Sequence, residues 1–223
     1  LDGPITARVS PAGTPGYRSR ISVDGEVAAG AVVEAFGLPL EDLVGGQTRW
    51  RGTVLLPTTS AEAAASVEPE PLRVNVTSNL SGLALYLPEP FSKPASEATG
   101  LELDLALDAQ RLDVQGNVGA TRRFVLTLVP GAEGFELDSA ALALGGELPV
   151  ARAAGGLGVY GTVPMLDFDA WSSLVRPAAA NRRLRSGLAG SGLGELFAEA
   201  ALEIGDFKVL GQQLGAARLA VER

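Results

Sequence analysis

From Gly100 to Asp108 the chain reads Gly-Leu-Glu-Leu-Asp-Leu-Ala-Leu-Asp, with a leucine at every second position: Leu101, Leu103, Leu105 and Leu107. Successive side chains of a β-strand point to opposite faces, so this run makes a strand with one apolar and one wet face. The pattern resumes after a tight turn expected at Asp108–Gln110, with Leu112, Val114 and Val118, and again with Phe124, Leu126 and Leu128 before Pro130-Gly131. Phe135 and Leu137 then share one parity while Ala140, Leu142 and Leu144 share the other, which predicts a bulge near Ser139 or Ala140. Four strands at this spacing with short connections read as an antiparallel meander.

Working outward, the same period predicts strands at Ile5–Val9, Tyr17–Val23, Thr48–Leu56, Leu72–Thr77 and Leu83–Leu87, then at Leu157–Val163, Ala200–Leu210 and Leu214–Val221. Two segments read as short helices. Glu26–Phe36 has helical apolar spacing and stops at Gly37, a favoured C-terminal cap. Asp169 is placed to cap a helix carrying Trp171, Leu174 and Val175 before Pro177. Residues 61–71, rich in Ala, Glu and Pro, and residues 186–194, with four glycines, read as mobile loops inside one segment, 1–223. The expected fold is therefore mainly β and antiparallel, with two short helices.

The 223 residues contain neither His nor Cys, which excludes Ser-His-Asp and Cys-His centres, Cys- or His-ligated zinc and disulfides. No metal site and no cofactor is expected. Lys and Arg number 18 against 26 Asp and Glu, and a net charge of −8 argues against nucleic acid as a partner. The chain lacks the charged-then-apolar layout of a signal peptide and begins inside an expected strand, so it reads as an internal segment of a longer protein.

Gly156, Gly158 and Gly161 match the letters of a dinucleotide loop, but strand-forming residues continue through them and the next helix starts only near Asp169. Glycines in a bent strand account for them better. Asp167 with Asp169, Glu195 with Glu199, and Asp104 with Asp108 are the carboxylate pairs an enzyme might use, and each also has an ordinary capping or solvent-facing explanation. Arg49 and Arg51 flank Trp50: they either meet a phosphate headgroup or face water beside a core tryptophan. Arg182, Arg183 and Arg185 form a basic cluster open to the same two readings, an anionic lipid or partner against a wet loop. The leucine alternation is equally double: half of a sandwich core, or an apolar face left open for a ligand.

Several stretches resemble the YhdP branch of the AsmA-like family, large envelope proteins of Gram-negative bacteria. Thr48-Arg-Trp-Arg-Gly52 looks like that family's G-x-T-x-W-x-G strand, and Val76 to Ala95 resembles its S-(D/N)-L-x-G-L-x-L-x-L-P-x-P-x-x-K segment. Gly161 to Trp171 is similar to its G-x-(L/V)-P-x-L-D-L-D-x-W stretch, and Ile204 to Leu219 to its paired closing strands. The resemblance implies a strongly twisted, curved sheet forming a trough with an apolar groove. It implies a periplasmic segment of a protein anchored in the inner membrane outside this stretch, without catalysis, serving a phospholipid conduit that supports the outer-membrane barrier. The partners implied are phospholipid acyl chains and other envelope proteins. By parity the groove candidates are Leu83, Leu85, Leu101, Leu103, Leu105 and Leu107, with Leu112, Val114, Phe124, Leu126 and Leu128. Arg49, Arg51, Arg182, Arg183 and Arg185 are the headgroup or partner candidates. The alternative is a non-catalytic structural or protein-interaction segment of a large envelope protein, and a hydrolase using Asp167 or Asp169 is the remaining reading.

Overall fold

A computed structural model describes residues 4–35, 42–58, 70–131, 134–148, 156–173 and 197–222. Among them are twelve strands: β1 (Ile5–Pro11), β2 (Tyr17–Ala28), β3 (Val44–Pro57), β4 (Leu72–Ser78), β5 (Leu83–Leu85), β6 (Leu101–Leu107), β7 (Leu112–Val118), β8 (Arg122–Gly131), β9 (Gly134–Leu144), β10 (Leu157–Asp167), β11 (Phe197–Val209) and β12 (Gln212–Glu222). Helix α1 spans Ala29–Ala35 and a second short helix, α2, covers 168–173. The expected loops at 61–71 and 186–194 fall almost wholly outside the described residues, as do Leu174, Val175 and the Arg182, Arg183, Arg185 cluster.

The strands form one sheet in the order β1-β2-β3-β4-β6-β7-β8-β9-β10-β11-β12, while β5 pairs with the start of β3. Its outer strands, β1 and β12, do not meet, so the sheet is not closed into a barrel. Pairing is antiparallel except at β10, which runs parallel to both β9 and β11. The sheet is thus mostly antiparallel, as expected, and the connections show why β10 differs. Parallel neighbours need a long crossover, and residues 145–156 and 168–196 are the two stretches that precede a parallel partner.

The central register is regular: Leu103 lies opposite Val76 and Gly116, and Leu105 opposite Val74 and Val114. The expected bulge is present. Thr127 pairs with Ser139 but Leu128 pairs with Leu137, leaving Asp138 over, so the two apolar parities of β9 end up on one side. The β6–β7 turn is also as expected, with Asp108 Oδ1 accepting bonds from Gln110 N (2.7 Å) and Arg111 N (2.9 Å). Those bonds, Gln110 first, hold the Asp108 carboxyl below its ordinary value.

Two helix expectations need correction. Glu26, Val27 and Ala28 belong to β2, paired with Arg49, Thr48 and Gln47, because β3 extends far enough to complete their ladder and local helical spacing yields to it. The α2 cap is Asp167, whose Oδ1 accepts from Ala170 N at 3.0 Å, since the last extended residue of β10 has the backbone an N-cap requires. Asp169 instead accepts from Leu210 N (3.0 Å) and Gly211 N (2.8 Å), clamping the β11–β12 turn. Gly161, in the glycine run, has φ +116 and sits where a Cβ would lie 2.1 Å from Leu144 O, as a bent strand demands.

The buried core is local. Leu144, Val159, Val163, Leu202 and Ile204 cluster on β9–β11, with Phe91, Leu166 and Phe207 packed against them.

Candidate functional site

Cross-strand partners share a face, so the register assigns each residue a side. Leu101, Leu103, Leu105 and Leu107 align with Ser78, Val76, Val74 and Leu72 of β4 and with Val118, Gly116, Val114 and Leu112 of β7. The next strand continues the rows with Arg122, Phe124, Leu126 and Leu128. Beyond β4 the same face carries Trp50 and Val54, then Ile21 and Val23, then Ala7 and Val9. Beyond β8 it carries Leu142 and Leu144, Val159, Leu202 and Leu219. On β4, β6 and β7 the other face is polar, with Asn75, Thr77, Glu102, Asp104, Asp113 and Gln115, whereas on β8 and β9 it carries buried Val125, Ala141 and Ala143.

Nine of the eleven candidate leucine, valine and phenylalanine positions therefore lie on one face of three adjacent strands. Leu83 and Leu85 are not brought together with them, because β5 lies off the ladder. Glycines let large side chains lie flat on this face. A Cβ at Gly116 would sit 2.3 Å from the Phe124 ring and 2.8 Å from Leu103 Cδ2, and one at Gly52 would sit 2.8 Å from the Trp50 ring. On β6 to β8 all nine candidates are half-buried and none is buried, whereas Leu144, Val159 and Leu202 on the same face are buried. A sandwich would bury the leucines of a central strand, so no second layer covers this part of the face among the described residues.

Arg49 and Arg51 lie on the polar face, and Arg51 Nε bonds Asp24 Oδ1 at 2.9 Å. Half-buried Trp50 between them belongs to the apolar face. A cleft of about 710 Å³ is lined by Asp24, Glu26, Arg49, Trp50 and Arg51 among others. Mixed charge of this kind suits water better than hydrocarbon, so the cleft is a poor match for an acyl chain despite its size.

One end of the apolar face carries a built-in cover, which sequence reasoning missed. Lys93 is 3% exposed, and its Nζ donates to Leu80 O (2.8 Å), Leu83 O (2.8 Å) and Pro94 O (3.3 Å). Leu80 adopts φ +49, its N–H held by Ser78 Oγ at 3.0 Å, while Gly82 at φ +90 passes so close to Gln47 O that a Cβ would lie 2.3 Å away. Lys93 and Leu85 also exchange backbone bonds. This clamp presents Phe91 to the β9–β11 core, where its ring meets Trp171 edge-on at 5.5 Å and lies 5.4 Å from the Arg122 guanidinium. The Asn79-Leu-Ser-Gly82 and Pro88-Glu-Pro-Phe-Ser-Lys93 pieces of one motif thus meet through a buried ammonium.

A family model described as YhdP protein matches residues 1–223. The chain belongs to the YhdP family. Membership points to a lipid-transport-related envelope protein, in a family not known as enzymatic. No curated protein and no solved structure matches the chain.

In this YhdP-family chain Glu195 lies outside the described residues, and the other five members of the three carboxylate pairs have structural partners. Asp167 caps α2 and bonds Lys208 Nζ at 2.7 Å, and that bond, with the cap behind it, holds its carboxyl below the ordinary value. Asp104 bonds Asn75, and Glu199 accepts from the Tyr160 hydroxyl at 2.9 Å. Burial, then Glu199, pushes the Tyr160 phenol up to about 12. Among the described residues no cluster of carboxylates is suited to a metal, and no helix is long and apolar enough to cross a membrane.

Proposed function

We propose that this segment carries phospholipid acyl chains along its leucine face, as part of a periplasmic conduit in a protein anchored in the inner membrane. The observation behind the reading is the row of half-exposed apolar side chains across β4, β6, β7 and β8, backed on β4, β6 and β7 by a polar face. Burying hydrocarbon contributes about 0.8 kcal/mol per CH₂ and needs no particular polar partner, so a surface of Leu, Val and Phe suffices. Such a surface also discriminates weakly, which suits a conduit that hands lipids onward. A curved sheet makes the face a trough. Native mass spectrometry of the chain purified gently from a Gram-negative host, with a lipid extract analysed in parallel, tests this. Bound phospholipid is the expected result; a lipid-free chain that also fails to take up an apolar dye refutes it.

The second reading is a protein-interaction segment. It is favoured by the outer strands, unpaired on one side among the described residues, where Val9 is 68% exposed and Val221 42%, because such an edge with apolar side chains can accept an added strand.

A further inference from the structure

We infer that Arg122 binds the phosphate of a phospholipid whose acyl chains lie on the leucine face, an inference that rests on the lipid reading above. From β1 to β9 every other paired residue of that face is apolar or small and neutral, and Arg122 is its one charged member. A guanidinium there must be satisfied by something. Its Nη2 donates to Pro90 O at 2.9 Å, and its Cζ lies over the Phe91 ring, 5.4 Å from the centroid. Among the described residues it has no carboxylate within salt-bridge distance. Glu89, the one acid in the covering segment 86–94, is engaged by Ser92 Oγ. One hydrogen bond leaves most of the five guanidinium donors available in a planar fork, the arrangement that grips a phosphate through two oxygens.

A further indole packs against the same aromatic ring. Trp171 Nε1 is buried with no acceptor among the described residues, and Trp171 packs edge-on against Phe91. The geometry of the strand then sets the direction of the lipid. Arg122 begins β8, and Phe124, Leu126 and Leu128 follow it on the same face over about 20 Å, at about 3.4 Å per residue. A headgroup fixed at Arg122 would lay its chains along the uncovered leucines, with Phe91 and its clamp closing the face behind the phosphate. Arg49 and Arg51, on the opposite side, cannot serve this lipid.

The test compares two ligands with the same short acyl chains, dihexanoyl phosphatidylglycerol and dihexanoylglycerol, by calorimetry against wild type, R122Q and R122K, with inorganic phosphate as a third ligand. Wild type is expected to bind the phospholipid about tenfold more tightly than the neutral lipid, as a charge-assisted pair contributes. R122Q should bind both lipids at the neutral lipid's affinity, with an unchanged circular-dichroism spectrum. R122K, which keeps the charge but not the fork, should retain part of the preference, and it decides the matter if R122Q does not fold. A wild-type preference that survives R122Q and R122K unchanged overturns the assignment, as does a wild type that binds the neutral lipid equally well. Inorganic phosphate bound as tightly as the phospholipid, and lost in R122Q, makes this a free-anion site and overturns the lipid assignment. If neither lipid binds wild type, the acyl-chain reading itself fails and this inference falls with it.

Discussion

Leu126 lies mid-strand on β8, between Val114 of β7 and Ala140 of β9, half-buried on the apolar face. Replacing it with Asp separates an open face from a closed core. Fully burying a leucine stabilises by roughly 1.5–3 kcal/mol, and a half-buried one contributes less, so the lost packing in Leu126→Asp is on the order of 1–2 kcal/mol. On an uncovered face the carboxylate reaches water and adds little further cost. In a closed core it would be an unpaired buried charge, which costs several kcal/mol more and takes most of a domain's margin of about 5–15 kcal/mol. Binding moves the other way: hydrocarbon laid over the new carboxylate strips its water, so affinity for a long-chain phospholipid should fall by about a hundredfold or more. Urea denaturation followed by circular dichroism measures the first effect, and lipid retention in native mass spectrometry the second. Loss of cooperative folding in Leu126→Asp would refute the open face. Undiminished lipid retention would refute Leu126 as part of the site.

Lys93→Met removes the ammonium that joins three carbonyls while keeping the side chain's length, so it should destabilise by roughly 2–4 kcal/mol, read as a lower urea midpoint; an unchanged midpoint would mean the clamp is idle. Leu210, at φ +54 beside Gly211 at φ +72, places a branched side chain where a tight hairpin favours Asn, and Leu210→Asn should raise stability by about 1 kcal/mol in thermal melts. For the Asp167–Lys208 pair the signs differ at the two ends of the pH scale. The Asp167 carboxyl is held below its ordinary 3.8, so its contribution is present above that value and fades as pH falls through the lower folded one. The Lys208 ammonium is held above its ordinary 10.5, chiefly by its bond to Asp167, so that contribution is present below 10.5 and fades as pH rises through the higher folded value. Asp167→Asn should flatten both limbs, and a stability profile identical to wild type at acid and alkaline pH would contradict it.

Local periodicity was enough to read most of the strands, a bulge within a residue or two of Asp138 and the turn at Asp108, because each depends on side chains within a few residues of one another. Residue type likewise excluded His- and Cys-based chemistry outright. What periodicity could not supply was pairing between distant strands. Glu26 to Ala28 became strand only because β3 offers them partners, and β10 runs parallel to its neighbours only because long connections carry the chain back. The candidate site divides in the same way. The leucine rows were legible, since parity within a strand fixes a face, and Arg122 shares the parity of Phe124 and Leu126 in plain sight. Its meaning was not, because the Phe91 ring and Pro90 carbonyl that hold it come from about thirty residues earlier in the chain. The Lys93 side chain shows the same limit: its spacing marked a motif, but only the folded backbone brings the carbonyls of Leu80 and Leu83 around it. Whether a face is covered depends on what packs across space, and that was decided by tertiary structure alone.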